Sequence, residues 1–537
     1  MKKGVLFILA CLFQVTFLSA QKVYNIVDFG AVPDGKTLNT KYIQAAINEC
    51  TKNGGGRVLI PNGTFLSGTI YLKNNVYLFL DATARLLGSP EYKTDYDWNV
   101  YGKGEDDENE NLQRRALVYA YRQNNIGILG TGTIDGNGKH KNYKSKNMHG
   151  GIGGGVRPFP IWINECTNVK LHDFRAVDGS FWTIMVDGCN YVDVNGLTID
   201  SRVIANNDGI DITDCSNVRI VNCDVKTGDD GICLKSNTKT VVRNVVISNC
   251  VVSSYSSCIK LGVASHGGFE NINISNCALY DTRLSGINLK MVEGGLMDRV
   301  AVTNITMHNV NGSIFMKCGA NDNFDRAPSK MRNVIISNII ADGIGCWKSN
   351  SKEAYTKPEY DQRIGITITG QEESVMENVT LSNIHLQFAG GGTQADADRP
   401  FKDEALYGYP KYNNFGITPA YGINCKYLDG VRFQNIVLDY IEPDVRPAFY
   451  IENSKNITLD NIEAKISDNA KAYMRIQNID GLMVRNCNPN SGNVPFLSLE
   501  GTGKDITVMG NDFSKIKSGL LNGNLLHVNY QYNIEKK

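Results

Sequence analysis

Two acidic bursts mark the stretch NNDGIDITDCSNVRIVNCDVKTGDDG, residues 206 to 231: of its six aspartates, Asp208 and Asp211 come first, and Asp229 and Asp230 close it. Like charges held together repel, so at least one pKa is expected to rise, leaving a protonated acid beside ionised neighbours. That arrangement suits hydrolysis of a glycosidic bond, in which one carboxyl protonates the leaving oxygen and another activates water. Asp followed by Gly is also ordinary turn chemistry, and clustered carboxylates also bind calcium. Taken alone, the acidic pattern leaves all three readings open.

Cations follow the acids. In GICLKS, CIKLG, GINLK and SIFMK, alternation turns Ile232, Leu234, Ile259, Leu261, Ile287, Leu289, Ile314 and Met316 inward. Lys235, Lys260, Asn288, Lys290 and Lys317 then point outward. Such a row is either a solvated, ion-paired face or a groove for an anionic polymer such as a uronic-acid chain.

What must position these groups is legible in a repeat. CSNVRIVNCDV at 215, VRNVVISNCVV at 242, FENINISNCAL at 269 and MRNVIISNIIA at 331 are copies of one motif that recurs mostly every 24 to 28 residues. Each copy is a β-branched strand of alternating polarity closed by Asn, too small to bury its own apolar face. Stacked in parallel, the copies share a core, so the expected fold is all-β, a right-handed parallel β-helix. Leucine-rich repeats are disfavoured, since the Leu-dense consensus and helical half-turn are absent. In such a coil Asp208 and Asp229 fall on adjacent turns, about 4.8 Å apart along the stack. The spacing therefore gathers the carboxylates into one patch.

Near the start, Thr40 is placed to cap a helix with an apolar stripe of Ile43, Ala46, Ile47 and Cys50, a lid for the open first coil. Residues 21–537 are read as a single β-helix domain with loop insertions near 341–371 and 387–420. The second insertion is rich in aromatic and charged residues and serves either recognition or packing.

The 537-residue chain is 42% apolar and carries 55 Lys+Arg against 55 Asp+Glu, a balance that points to neither nucleic acid nor membrane as a partner. Residues 1–20, with Lys2 and Lys3 before a short apolar run interrupted by Gln14, Thr16 and Ser19, are expected to be a signal peptide cut after Ala20. The mature chain is then exported, periplasmic or extracellular, without a membrane span. Of the 14 cysteines, 13 remain after cleavage, an odd number. Their recurrence in NC phrases favours a buried ladder over disulfides, and no Cys/His cluster has zinc spacing.

The motifs DFGAVPDGKTLNTKYIQAAI, GGGRVLIPNGTF, GTGTIDGNG, SFWTIMVDGC, NNDGID and TGDDGICLKS resemble glycoside hydrolase family 28, the polygalacturonase and rhamnogalacturonan hydrolase group, over nearly all of the mature chain. The stretch from Tyr409 through FGITPAYG is similar to a bacterial, exported branch. The resemblance implies an inverting reaction on galacturonate-containing pectic chains, with no cofactor or metal. In it Asp229 is the general acid, Asp208 and Asp230 position and activate water, and Asp211 is a supporting carboxylate. Lys235, Lys260, His266, Asn288, Lys290 and Lys317 are the expected substrate-binding residues. Two positions depart from the family pattern. Its Gly-His-Gly reads Ser256-Ser257-Cys258, with His266 downstream as a substitute only if the next turn folds back. Its Arg-Ile-Lys reads Asn288-Leu289-Lys290, which removes a guanidinium fork for a substrate carboxylate. A calcium-dependent pectic lyase and a non-catalytic carbohydrate-binding solenoid are the alternatives.

Overall fold

The computed structural model describes residues 22–100, 113–143, 157–320, 328–347, 363–402, 410–489, 492–522 and 527–536. The expected signal peptide, residues 348–362 of the first insertion and 403–409 of the second, Tyr409 included, lie outside the described residues.

The repeat folds as its alternation requires. Ile210–Thr213, Ser216–Val221 and Asp224–Thr227 form three sides of one coil, and Ile232–Ser236, Val242–Ser248 and Val251–Ser254 form the next. The strands pair in parallel, with Ile210 against Ile232, Val218 against Val245 and Val225 against Val252. Continued coil by coil, this makes a right-handed parallel β-helix. The inward positions stack like upon like: Ile184, Ile210, Ile232, Ile259, Ile287 and Ile314 are consecutive partners and all are buried. Burying side chains of this size contributes roughly 1.5–3 kcal/mol each.

The closing Asn of each repeat has a conformational reason. Asn222 and Asn249 sit at φ 59° and 56°, a left-handed corner that Asn tolerates better than most residues. Their amides then bond along the stack: Asn222 Nδ2 donates to Asn195 Oδ1 at 3.0 Å and Asn249 Nδ2 to Asn222 Oδ1 at 3.3 Å. A second ladder climbs through Asn190, Asn217, Asn244 and Asn271. The described cysteines all carry free thiols, mostly buried. Those at 166, 189 and 215 stack, each backbone N–H of the first two donating to the next sulfur at 3.2 Å.

The helix spans Thr40–Lys52 and buries Ile43, Ala46, Ile47 and Cys50 against the first coils. Thr40 is its first residue rather than its cap; Asn39 holds the cap position, and the Thr40 hydroxyl instead accepts from the Gly68 N–H at 2.8 Å. Among the described residues, no helix is long and apolar enough to cross a membrane.

The insertions are narrower than the sequence suggests, because strands Lys330–Ile344, Ile366–Thr369 and Met376–Gly390 run into both ranges. A buried pair ties down their bases. Arg446 Nη2 lies 2.6 Å from Asp444 Oδ2, and that oxygen accepts from the Gly392 N–H at 2.9 Å. Arg446 Nη1 donates to the Thr418 carbonyl at 3.1 Å and to that of Arg363. Phe401, Phe415 and Ala420 of the second insertion then pack on Leu284, Phe315, Ile364 and Tyr450.

Candidate active site

The acids sit where coils begin. Because Ile210 pairs with Ile232, the coil partner of Asp208 is Asp230, and the Gly209 N–H donates to the Asp230 carbonyl at 2.9 Å. Asp229 lies instead over Asn207, whose carbonyl accepts its N–H at 3.4 Å. The repeat is thus one residue longer here than the Asp208-to-Asp229 interval. The turn before Asp208 is fixed by the Asn207 side chain, which accepts from the N–H groups of Val203 and Ile204 and donates to the Gly179 carbonyl. One carboxylate oxygen each of Asp208, Asp229 and Asp230 lies within 4.8 Å of the others. They open into a pocket of about 540 Å³ whose lining includes Trp182, Tyr255, Ser256 and Lys260.

Two buried lysines divide this acidity unequally. Lys260 Nζ is ion-paired with Asp230 Oδ2, while Asp230 Oδ1 accepts from Ser256 Oγ at 2.8 Å and from the Ser257 N–H at 3.2 Å. Burial works to raise the Asp230 pKa, but the charge and hydrogen bond of Lys260, with Lys290 and Lys235 behind, hold it at about 2. Asp229 moves the other way: burial and the charge of Asp230 raise it, against the pull of Lys260. Burial, with Asp211 and Asp229 beside it, raises Asp208 well above the usual carboxylate range. Lys235 Nζ lies 2.6 Å from Asp211, 3.7 Å from Asp208 and 3.2 Å from the Trp182 ring centroid. Burial lifts the fully enclosed Asp211 to about 6 in spite of that lysine. The patch can therefore hold a proton on one carboxyl beside a carboxylate kept ionised, the two states that acid–base hydrolysis needs.

The expected substrate-binding residues separate. Lys235 and Lys260 line the pocket. Asn288, the coil partner of Lys260, donates to Ser257 Oγ at 2.9 Å. Lys290 and Lys317 are coil partners only 1% exposed, so the outward strip is not a solvated face at these coils; burial pushes Lys290 well below the usual lysine range. His266 is outside the pocket lining, with Nδ1 3.2 Å from Glu293. Asp211 stands behind the patch rather than in it, through Lys235.

Several lining residues escaped the sequence pattern. Ser256 attracted notice only as part of a missing histidine motif, yet its hydroxyl holds Asp230. Trp182 lay within a quoted motif without a role. Lys411 sits in the aromatic insertion, and Arg283 in DTRLSG offered no periodic signal; both line the pocket.

The glycosyl hydrolases family 28 model matches residues 50–399. A probable polygalacturonase of Vitis vinifera is 29% identical over 313 residues, 54% of this chain and 62% of that one. A polygalacturonase of Gossypium hirsutum is 26% identical over 351 residues, 60% and 79% of the two chains. Among solved structures, the hyperthermoactive exopolygalacturonase of Thermotoga maritima superposes with a TM-score of 0.60 at 20% identity, covering 78% of this chain and 92% of that one. A family 28 exopolygalacturonase of Yersinia enterocolitica gives 0.62 at 23% identity, covering 82% and 78%. These two likenesses establish a shared fold.

Proposed function

The chain belongs to glycosyl hydrolase family 28, and on that premise we propose that it hydrolyses galacturonic-acid-containing pectic poly- or oligosaccharides. The observation that carries this is the gathering of Asp208, Asp229 and Asp230 at one pocket, one oxygen of each within 4.8 Å of the others, with Lys260 ion-paired to Asp230, an arrangement that raises Asp229 and lowers Asp230. Asp229 is the general acid. Its proton passes to the glycosidic oxygen as the bond from that oxygen to the anomeric carbon breaks. Asp230 is the base that takes a proton from the attacking water as the new carbon–oxygen bond forms. Asp208, raised and beside both, shares the proton of the cluster and orients that water. The ammonium groups of Lys235 and Lys260 supply the counter-charge a metal ion would otherwise bring.

Inversion is the family's implied stereochemistry. The nearest oxygens of the three carboxyls lie within 4.8 Å, closer than the roughly 6.5–9.5 Å usual between the two carboxyls of inverting enzymes. The anomer released first, followed by NMR, decides it. We further propose that residues 1–20 direct export, as in a bacterial exported branch of the family. N-terminal sequencing of the secreted protein should begin at Gln21.

The primary experiment incubates wild type and Asp229→Asn with homogalacturonan and rhamnogalacturonan types I and II, in the presence and in the absence of EDTA. Saturated sugars from wild type and not from the variant are expected. An unsaturated product that EDTA abolishes would replace this reading with a calcium-dependent lyase, and no product from any pectic glycan would replace it with a binding module.

A further inference from the structure

The position where the family carries an arginine for the substrate carboxylate holds Asn288, and that side chain is turned to Ser257. Positive charge nonetheless reaches the pocket from two other directions. Arg283 comes from the same coil, five residues earlier, 7% exposed, with Nη1 donating to the Tyr255 carbonyl at 3.2 Å. Lys411 comes from the second insertion and lines the same pocket beside Leu284. The insertion is not loosely draped there. Phe401 and Phe415 pack on Leu284 and Phe315, and the Asp444–Arg446 pair clamps both of its ends. The coils beyond, with Lys290 and Lys317, are covered. Among the described residues, Arg283 and Lys411 thus bring cationic side chains to the same pocket that holds the aspartates.

We propose that Arg283 and Lys411 form the carboxylate-recognition wall of the pocket, binding the acidic group of the uronate placed against the catalytic aspartates in place of the absent family arginine. The proposal rests on the pectic-hydrolase reading above and adds which residues select an acidic sugar. Charge balance agrees with it. Burial lowers the Lys411 pKa, Arg283 and Lys260 add to that, and Asp229 and Asp230 oppose it. A carboxylate entering the pocket is attracted by both side chains, an interaction that a neutral or methyl-esterified sugar does not offer. Arg283 offers a planar donor fork and Lys411 a point charge, so a carboxylate between them would be held in both orientation and depth.

The test compares wild type, Lys411→Ala, Lys411→Arg and Arg283→Gln on galacturonate oligomers and on their methyl esters. Lys411→Ala should lose about 10- to 100-fold in kcat/KM on the acid, mostly through KM, and less than about 3-fold on the ester, with Lys411→Arg recovering most of the loss. Arg283→Gln should show the same acid-selective loss. Because Arg283 is buried, the binding arm is also run without turnover: in an Asp229→Asn background, calorimetry should show weaker binding of trigalacturonate on adding Lys411→Ala and unchanged binding of its methyl ester. Equal losses on acid and ester, or no loss on either, would overturn the wall while leaving the hydrolase reading intact. Wild type that neither cleaves nor binds any galacturonate oligomer would overturn both.

Discussion

Two stacks of like side chains climb the same solenoid and end differently. At the corner, Asn190, Asn217, Asn244 and Asn271 repeat once per coil, and each amide donates to the one before it. On the pocket face, Asp208 and Asp230 repeat once per coil as well, but two carboxylates have only acceptors to offer one another. The first stack satisfies itself. The second requires foreign groups, and the sequence supplies Lys235, Lys260 and Ser256 to provide them. The lesson is that coil periodicity is neutral machinery: it makes stability from groups that are both donor and acceptor, and reactivity from groups that are not.

The strongest break of that comparison is to put amides in place of the pocket's carboxylates. Asp229→Asn removes the acid and Asp230→Asn the base, and each should lower kcat by about 10²–10⁴, the range that one positioned acid or base contributes. Asp229→Asn also relieves repulsion among buried carboxyls, so its expected signature is an inactive protein whose thermal midpoint does not fall with its activity, read by calorimetry beside the product assay. Asp230→Asn leaves Lys260 buried without its anion and should lose stability together with activity.

Removing the counter-charge should do the reverse. Lys260→Met leaves Asp230 buried without its cation, and breaking one side of a buried pair typically costs about 3–5 kcal/mol. The pH dependence sharpens the point. With Lys260 present the folded Asp230 pKa is about 2, below its unfolded value. It therefore contributes stability that is complete above the unfolded value and is lost as pH falls toward 2. Wild-type activity should accordingly hold on the acid side until Asp230 begins to protonate, and fall on the alkaline side as Asp229, raised, gives up its proton. In Lys260→Met the acid limb should move to higher pH. An unmoved limb would mean that Lys260 does not govern the base.

How much of this was legible depends on whether a group acts through its period. The coil, the inward Ile stack, the corner Asn and the gathering of Asp208, Asp229 and Asp230 all repeat with the coil, and repetition is visible in a sequence. The pairing of Asp208 with Asp230 rather than Asp229 was not, because it turns on one residue of coil length. Nor was the burial of Lys290 and Lys317, since alternation gives the side a residue faces and not what an insertion later lays over it. Arg283 and Lys411 reach the pocket through a coil end and an insertion, where no period operates.

The smallest effect lies in the companion ladder of Asn195, Asn222 and Asn249, which satisfies itself in the same way, and it separates two reasons for the same residue. Asn222 sits at φ 59°, donates to Asn195 and accepts from Asn249. Asn222→Gly keeps the left-handed corner and loses both amide bonds; these are exposed, so the cost should be about 1 kcal/mol or less. Asn222→Ala loses the same bonds and also forces a Cβ into that corner, adding about 1–2 kcal/mol. The difference between the two variants, read from urea midpoints at equal m, isolates the backbone contribution. If Gly is as damaging as Ala, the ladder's hydrogen bonds hold the corner; if Gly is nearly silent, the left-handed turn chose Asn and the ladder follows from it. Activity should be unchanged in both, because this stack lies outside the pocket lining.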